Sequence, residues 1–202
     1  MNFSGQYVPQ SIIKFFLSLN KMAIISKAKT IKITQERLWF LHWLMAGFYL
    51  LLFLSGTYMI NLGHDVFYRR SLYDFHKTLG VIVMSLLLAR ITFLLQIQLN
   101  KKRLSHQKKN WLQKFIVHAS LYLFMLFVPL NGYLLSNAGG HDIIMFGTNI
   151  ALPQLFAKNR QLAVLGGSVH FWLSYTFLVF IILHTLQQRK YLQGIWRKLF
   201  KI

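Results

Sequence analysis

Long apolar runs, separated by shorter polar segments, dominate the chain. Four of these runs are long enough to cross a bilayer, which takes about 20 apolar residues in a helix. Each run predicts one continuous α-helix, because an unpaired backbone group is too costly in lipid, and no alternating strand pattern competes. The pattern therefore predicts an all-α fold, an integral membrane four-helix bundle, with spans at 38–60, 75–97, 112–135 and 168–187.

The composition agrees with a membrane protein. Of the 202 residues, 55% are hydrophobic and 13% are charged, which is too apolar for an ordinary soluble domain. The net charge of +19 could indicate nucleic acid, but the basic residues flank the apolar runs, so we expect membrane lipid and no nucleic acid as a partner. The sequence has no cysteine, which excludes thiolate metal sites and covalently attached c-type haem. Any metal would be held by histidine.

The positive charges predict the orientation, because cytoplasmic segments of membrane proteins carry an excess of Lys and Arg. Most of the 23 basic residues lie in or beside the two tails and the connection between the second and third spans. Both termini are therefore expected in the cytoplasm, with a tail at 1–36, a membrane domain at 37–190 and a basic tail at 191–202. The N-terminal tail predicts either an amphipathic surface helix or, if translation starts at Met22, a segment without a function.

Two of the histidines, His170 and His184, lie 14 residues apart in the last span. That spacing places them roughly 21 Å apart on nearly the same helix face. With the orientation above, His76 and His170 lie at the outer level, and His184 lies at the inner level with either His42 or His118. Two imidazoles at each level could hold two non-covalent b-type haems with six-coordinate iron.

Other interpretations of these histidines are a helix bundle joined by histidine hydrogen bonds and a zinc site. Zinc normally has ligands within a few ångströms of one another and often includes a carboxylate, and the four runs contain no Asp or Glu that could serve. The outward sequences LGHD and GGHD, with His64 and His141, could form a small external site, but such sequences are also ordinary turns, which we favour.

The spacing of 14 residues recurs on the other helices. It separates His76 from Arg90, His42 from Gly56 and His118 from Gly132. A glycine at the level of a flat macrocycle would make room for it, and Arg90 could pair with a haem propionate. Both observations have a simpler explanation. With 12 glycines in the chain, some spacings of 14 residues arise by chance, and an arginine near a helix end often extends its charged group to the membrane–water interface.

Several motifs together resemble the bacterial cytochrome b561 family over about residues 36 to 190. They are LHWL at 41–44, HKTLG at 76–80 followed by Arg90, the run from His118 to Gly132 with its Pro and Gly, and the last pair of histidines. One departure is Phe171, where members often have an acidic residue after the histidine.

The resemblance implies a four-helix dihaem cytochrome of the cell inner membrane that exchanges electrons with a quinone such as ubiquinone. It implies that His42 and His184 hold iron at the inner level and that His76 and His170 hold it at the outer level. Some members are implicated in superoxide oxidation, so a superoxide:quinone oxidoreductase is one expectation. Alternatives are a cytochrome b subunit of a larger membrane dehydrogenase or hydrogenase, and a cofactor-free structural or transport bundle. A redox partner subunit and a homodimer are further candidate partners.

The outward connections also carry an unusual share of positive charge for that side of a membrane. Such a rim could attract superoxide or another anionic donor, or it could bind haem propionates or lipid headgroups. Its members are Arg69, Arg70, Lys77, Lys158 and Arg160.

Overall fold

The computed structural model describes residues 10–63, 65–100, 111–189, 193–194 and 196–197. Four helices account for most of them, and each is long and apolar enough to cross a membrane. The prediction of an all-α fold with four membrane spans is therefore confirmed. The helices are α1 (Gln10–Ile60), α2 (Arg69–Asn100), α3 (Trp111–Ala138) and α4 (Arg160–Gln187).

The chain forms two compact units. The first unit consists of residues 1–44 and 89–104, and the second consists of residues 45–88 and 105–202. Helices α1 and α2 contribute to both units, whereas α3 and α4 belong to the second. The second unit contains the two short connections at 61–68 and 139–159, and we call the end that carries them the loop end.

Helix α1 begins well before the predicted span. Its 51 residues correspond to about 77 Å, whereas the hydrocarbon core of a bilayer is about 30 Å thick. The segment predicted as a separate surface helix is thus continuous with the first span from Gln10 onward. No proline or glycine interrupts residues 10–46, so the sequence offers nothing to break the helix there.

Helices α3 and α4 form the closest pair of helices. Gly166 of α4 permits this approach, because a Cβ atom there would lie only 3.0 Å from the Cβ of Leu135. Small residues at such contacts are typical of membrane helix pairs. Helix α4 starts eight residues before the predicted span because Asn159 caps it, its side chain accepting a hydrogen bond from the Leu162 N–H.

Pro129 lies inside α3 and has no N–H group for the carbonyl of Met125, one turn earlier. The hydroxyl of Tyr49 on α1 donates to that carbonyl at 3.3 Å. The Tyr49 ring also packs edge-on against Phe177 of α4, with ring centres 5.1 Å apart. One tyrosine therefore joins α1 to both α3 and α4 at the turn that the proline weakens.

The connection at 139–159 has a defined structure. Gly140, in the left-handed region with φ of 73°, ends α3, and an isolated bridge joins Ile144 to Ala151. The sequence GGHD thus forms the turn that we favoured. On α2, the Thr78 hydroxyl accepts a hydrogen bond from the Phe146 N–H at 2.7 Å. This bond fixes the connection to the turn of α2 that also carries His76.

Candidate haem site

The structure brings His76 of α2 and His170 of α4 together near the loop end. Their ring centres are 6.4 Å apart and their planes meet at 79°. A metal–imidazole bond is about 2 Å long and the nitrogen lies ~1.2 Å from the ring centre, so two imidazoles on opposite sides of one metal have centres roughly 6.4 Å apart. The pair therefore has the separation that a shared metal requires.

Each of these two imidazoles faces a glycine on a neighbouring helix. A Cβ atom at Gly56 of α1 would lie 3.2 Å from Cε1 of His76, and one at Gly132 of α3 would lie 3.1 Å from Cε1 of His170. Our expectation was that these glycines make room for a macrocycle. In the structure, the groups for which they make room are the two imidazole rings.

The Nδ1 atom of each ring has a partner. His170 Nδ1 lies 3.0 Å from the Val128 carbonyl oxygen, which can only accept, so this nitrogen carries the proton. His76 Nδ1 lies 2.9 Å from the Ser55 hydroxyl, and that hydroxyl donates its single proton to the Leu52 carbonyl at 3.1 Å. In the tautomer that can bind iron through Nε2, His76 Nδ1 carries the proton and the hydroxyl accepts it. Both rings thus have an acceptor for an Nδ1 proton when Nε2 is the lone-pair nitrogen.

At the other level, His184 of α4 lies against His118 of α3. Their ring centres are 5.1 Å apart and the planes meet at 88°. This separation is shorter than that of two imidazoles on opposite sides of one metal, and it is an edge-to-face ring contact. His42 and Arg90 both belong to the first unit, where the His42 ring contacts Trp43 at 5.7 Å. The partner of His184 and the role of Arg90 stay predictions.

The basic residues of the loop end have different surroundings. The Arg69 guanidinium lies 5.5 Å from the centre of the Tyr73 ring, and Lys77 donates to the Asp142 carbonyl at 3.1 Å. Arg70, Lys158 and Arg160 are exposed. The predicted cationic rim is thus partly engaged in contacts and partly accessible.

Two tyrosines at the loop end form a hydrogen bond with each other. This bond between the Tyr58 and Tyr68 hydroxyls raises the pKa of Tyr68, because it stabilises the neutral phenol.

Some sequence predictions concern residues outside the described part of the chain. They are His64 and the basic residues at 101–103, 108–109, 190, 198 and 201.

Comparison with known proteins decides the family. The family model described as prokaryotic cytochrome b561 matches residues 36–191. The chain belongs to the prokaryotic cytochrome b561 family. It is also similar to cytochrome b561 homolog 2 of Escherichia coli strain K12, with 28% identity over 144 residues, which cover 71% of this chain and 76% of the relative.

As a cytochrome b561, the chain is a multi-pass membrane protein that binds haem b and takes part in electron transfer. The loop-end site fits this group in two respects: the separation of the two rings, and the partner that each Nδ1 atom has while Nε2 stays available for iron. Sequence reasoning missed Ser55 and the Val128 carbonyl, which contact the Nδ1 atoms of these rings, and Tyr49, which joins α1 to α3. The sequence feature that could have pointed to Ser55 is its position directly before Gly56 in LSGTY at 54–58.

Proposed function

We propose that this cytochrome b561 holds two haems b, one between His76 and His170 and one between His42 and His184. The observation that supports the first site best is the 6.4 Å separation of two imidazoles whose Nδ1 atoms are both engaged. The second site rests on the depth of His184 and on the family resemblance of the LHWL sequence around His42. In this proposal, His118 contacts His184 without binding iron.

Haem held by two histidines supplies one-electron transfer and has no open position for a substrate oxygen. The residues of the chain then have three tasks. His76 and His170 would bind the iron through Nε2. Ser55 and the Val128 carbonyl would accept the Nδ1 protons, and Gly56 and Gly132 leave the space that the two rings occupy.

We further propose that the loop end faces outward from the inner membrane and receives electrons from superoxide, and that a quinone accepts them at the cytoplasmic side. Two superoxide ions each give up one electron and become O₂. The quinone takes both electrons and two protons from the cytoplasm and becomes quinol. The positive-inside rule supports this orientation, and the exposed Arg70, Lys158 and Arg160 favour an anionic donor.

A groove in the first unit is the candidate quinone site. Its volume of about 420 Å³ lies within the range of small-molecule sites. Glu36 could pass protons to a bound quinone, and the Arg37 guanidinium, 5.9 Å from the centre of the Phe93 ring, supplies a positive charge. The lining residues are Ile33, Glu36, Arg37, Phe40, Leu41 and Phe93.

Haem stoichiometry tests the two haem sites. We expect His76→Ala and His170→Ala each to lose one haem of two, and His42→Ala to lose the other, whereas His118→Ala keeps both. The exposed His141 in the turn after α3 gives the matched control, His141→Ala, which keeps both haems. Two haems in both loop-end variants would refute the pairing. Loss of haem in His118→Ala but not in His42→Ala would assign the inner site to α3.

The two ends need separate tests. Stopped-flow reduction by superoxide should be fast, should slow with added salt and should slow again in an Arg69→Ala/Arg70→Ala variant, because screening acts over about 8 Å at physiological ionic strength. A slow rate that does not depend on salt would rule out superoxide as the donor.

The quinone groove needs its own test. Ile33→Trp should raise the KM for the quinone at unchanged haem content, whereas Ile24→Trp, at an exposed position on the same helix, should not. An equal KM in the two variants would refute the groove.

A further inference from the structure

Ser55 is a buried hydroxyl in the first membrane span, with 8% of its surface exposed. It has one side-chain partner, His76 Nδ1 at 2.9 Å, and one backbone partner, the Leu52 carbonyl oxygen at 3.1 Å. When His76 Nε2 is free for iron, the hydroxyl accepts from Nδ1 and donates to the carbonyl. A serine can bond back to its own helix without a further partner, as Ser85 does with the Val81 carbonyl. The contact with an imidazole on another helix distinguishes Ser55 from such a residue.

The two loop-end histidines are held by chemically different acceptors. His170 donates to the backbone carbonyl of Val128, and a substitution of Val128 does not remove this carbonyl. His76 donates to a side chain, and its bond continues through the hydroxyl to the Leu52 carbonyl. Hydrogen bonds in such a chain polarise one another, so the carbonyl strengthens the hydroxyl as an acceptor. Ser55 is therefore the position at which a change of sequence can alter the electronic state of one ligand alone.

We propose that Ser55 is a positioning residue that sets the basicity of His76 and thereby lowers the reduction potential of the haem between His76 and His170. The proposal rests on the proposed function of this pair. An acceptor on the Nδ1 proton moves electron density toward Nε2, and a more basic Nε2 stabilises ferric iron more than ferrous iron. The hydroxyl also holds the ring plane, because rotation of the imidazole would break the 2.9 Å bond.

Removal of the hydroxyl should therefore raise one potential and leave the other unchanged. Losses of outer-shell partners typically cost 10-fold to 100-fold in metal affinity or activity, and we take the lower figure for the redox equilibrium. A tenfold change in the ferric-to-ferrous equilibrium of a one-electron couple corresponds to about 59 mV. We expect Ser55→Ala to keep two haems and to raise the potential of the loop-end haem by roughly this tenfold factor.

The experiment is a spectroelectrochemical titration of the full-length, haem-loaded protein, with haem content measured in parallel. Ser55→Thr keeps a hydroxyl and should restore the wild-type potential. Ser85→Ala removes a hydroxyl on α2 that donates to the Val81 carbonyl and has no hydrogen bond to a histidine among the described residues, and it should change neither potential.

Loss of the loop-end haem in Ser55→Ala, with both haems kept in Ser55→Thr, would also support the proposal, because the hydroxyl alone would then decide whether His76 binds. Unchanged potentials at full haem content in Ser55→Ala would overturn it. So would equal effects of the Ala and Thr substitutions, since only one of them removes the hydroxyl and its presence would then make no difference. Failure of the proposed function itself is separate, because it appears as two haems in His76→Ala.

Discussion

Gly132→Ala is the substitution that tests the loop-end site most directly. The added Cβ atom would lie 3.1 Å from Cε1, 3.4 Å from Nδ1 and 3.9 Å from Nε2 of His170. Carbon atoms in ordinary contact are about 3.5–4.0 Å apart, so the ring must move by roughly half an ångström. The ring cannot move freely, because its Nδ1 proton is held by the Val128 carbonyl at 3.0 Å.

The expected cost falls on haem binding and not on the helix. Alanine is favoured over glycine inside a helix by about 1 kcal/mol, so α3 itself should be at least as stable in the variant. Displacement of a ligand or its supporting group typically weakens metal binding by 10-fold to 100-fold, which corresponds to about 1.4–2.7 kcal/mol. We expect Gly132→Ala to bind the loop-end haem more weakly by such a factor, while its helix content stays unchanged.

Haem transfer to a competing apoprotein measures this affinity, and circular dichroism measures the helix content. Gly80→Ala and Gly167→Ala are matched controls, because an added Cβ atom at either position meets nothing within 4 Å. Gly56→Ala should resemble Gly132→Ala, since its Cβ atom would lie 3.2 Å from Cε1 of His76. Unchanged haem affinity in Gly132→Ala, or equal losses in the Gly80 and Gly167 controls, would refute the reasoning.

Two further substitutions test the supports of the site. Tyr49→Phe removes the donor to the Met125 carbonyl and should lower the free energy of unfolding by about 1 kcal/mol, measured by thermal unfolding in detergent; an unchanged stability would mean that the carbonyl has another donor. Thr78→Val removes the acceptor of the Phe146 N–H. A hydrogen bond of this kind also contributes about 1 kcal/mol, so hydrogen exchange of that amide should become roughly fivefold faster. Unaltered exchange would show that the connection at 139–159 does not depend on this bond.

Hydropathy predicted the four helices because lipid requires each span to satisfy its own backbone hydrogen bonds. It predicted their ends less well. The cap formed by Asn159 is a local hydrogen bond that adds eight residues to α4, and a hydropathy window does not detect it. Residues 10–37 contain no proline or glycine, so α1 continues through them although lysines interrupt their apolar residues.

Spacing placed His76 and His170 at one depth, and the structure brings their rings together. Depth alone could not choose between His42 and His118 as the neighbour of His184, because it does not say which helix faces which. Nor could it reveal Ser55 or the Val128 carbonyl. Those contacts depend on the rotation of each helix about its own axis, which four mainly apolar helices do not encode in their hydropathy.

The angle of 79° between the planes of His76 and His170 has a magnetic consequence for a low-spin ferric iron between them. Ligand planes that are nearly parallel would raise one of the two iron π-type d orbitals above the other. Nearly perpendicular planes raise both by similar amounts, so the unpaired electron occupies an almost degenerate pair and keeps much of its orbital momentum. We therefore expect the electron paramagnetic resonance spectrum of this haem to show one very large g value and a broad, strongly anisotropic signal.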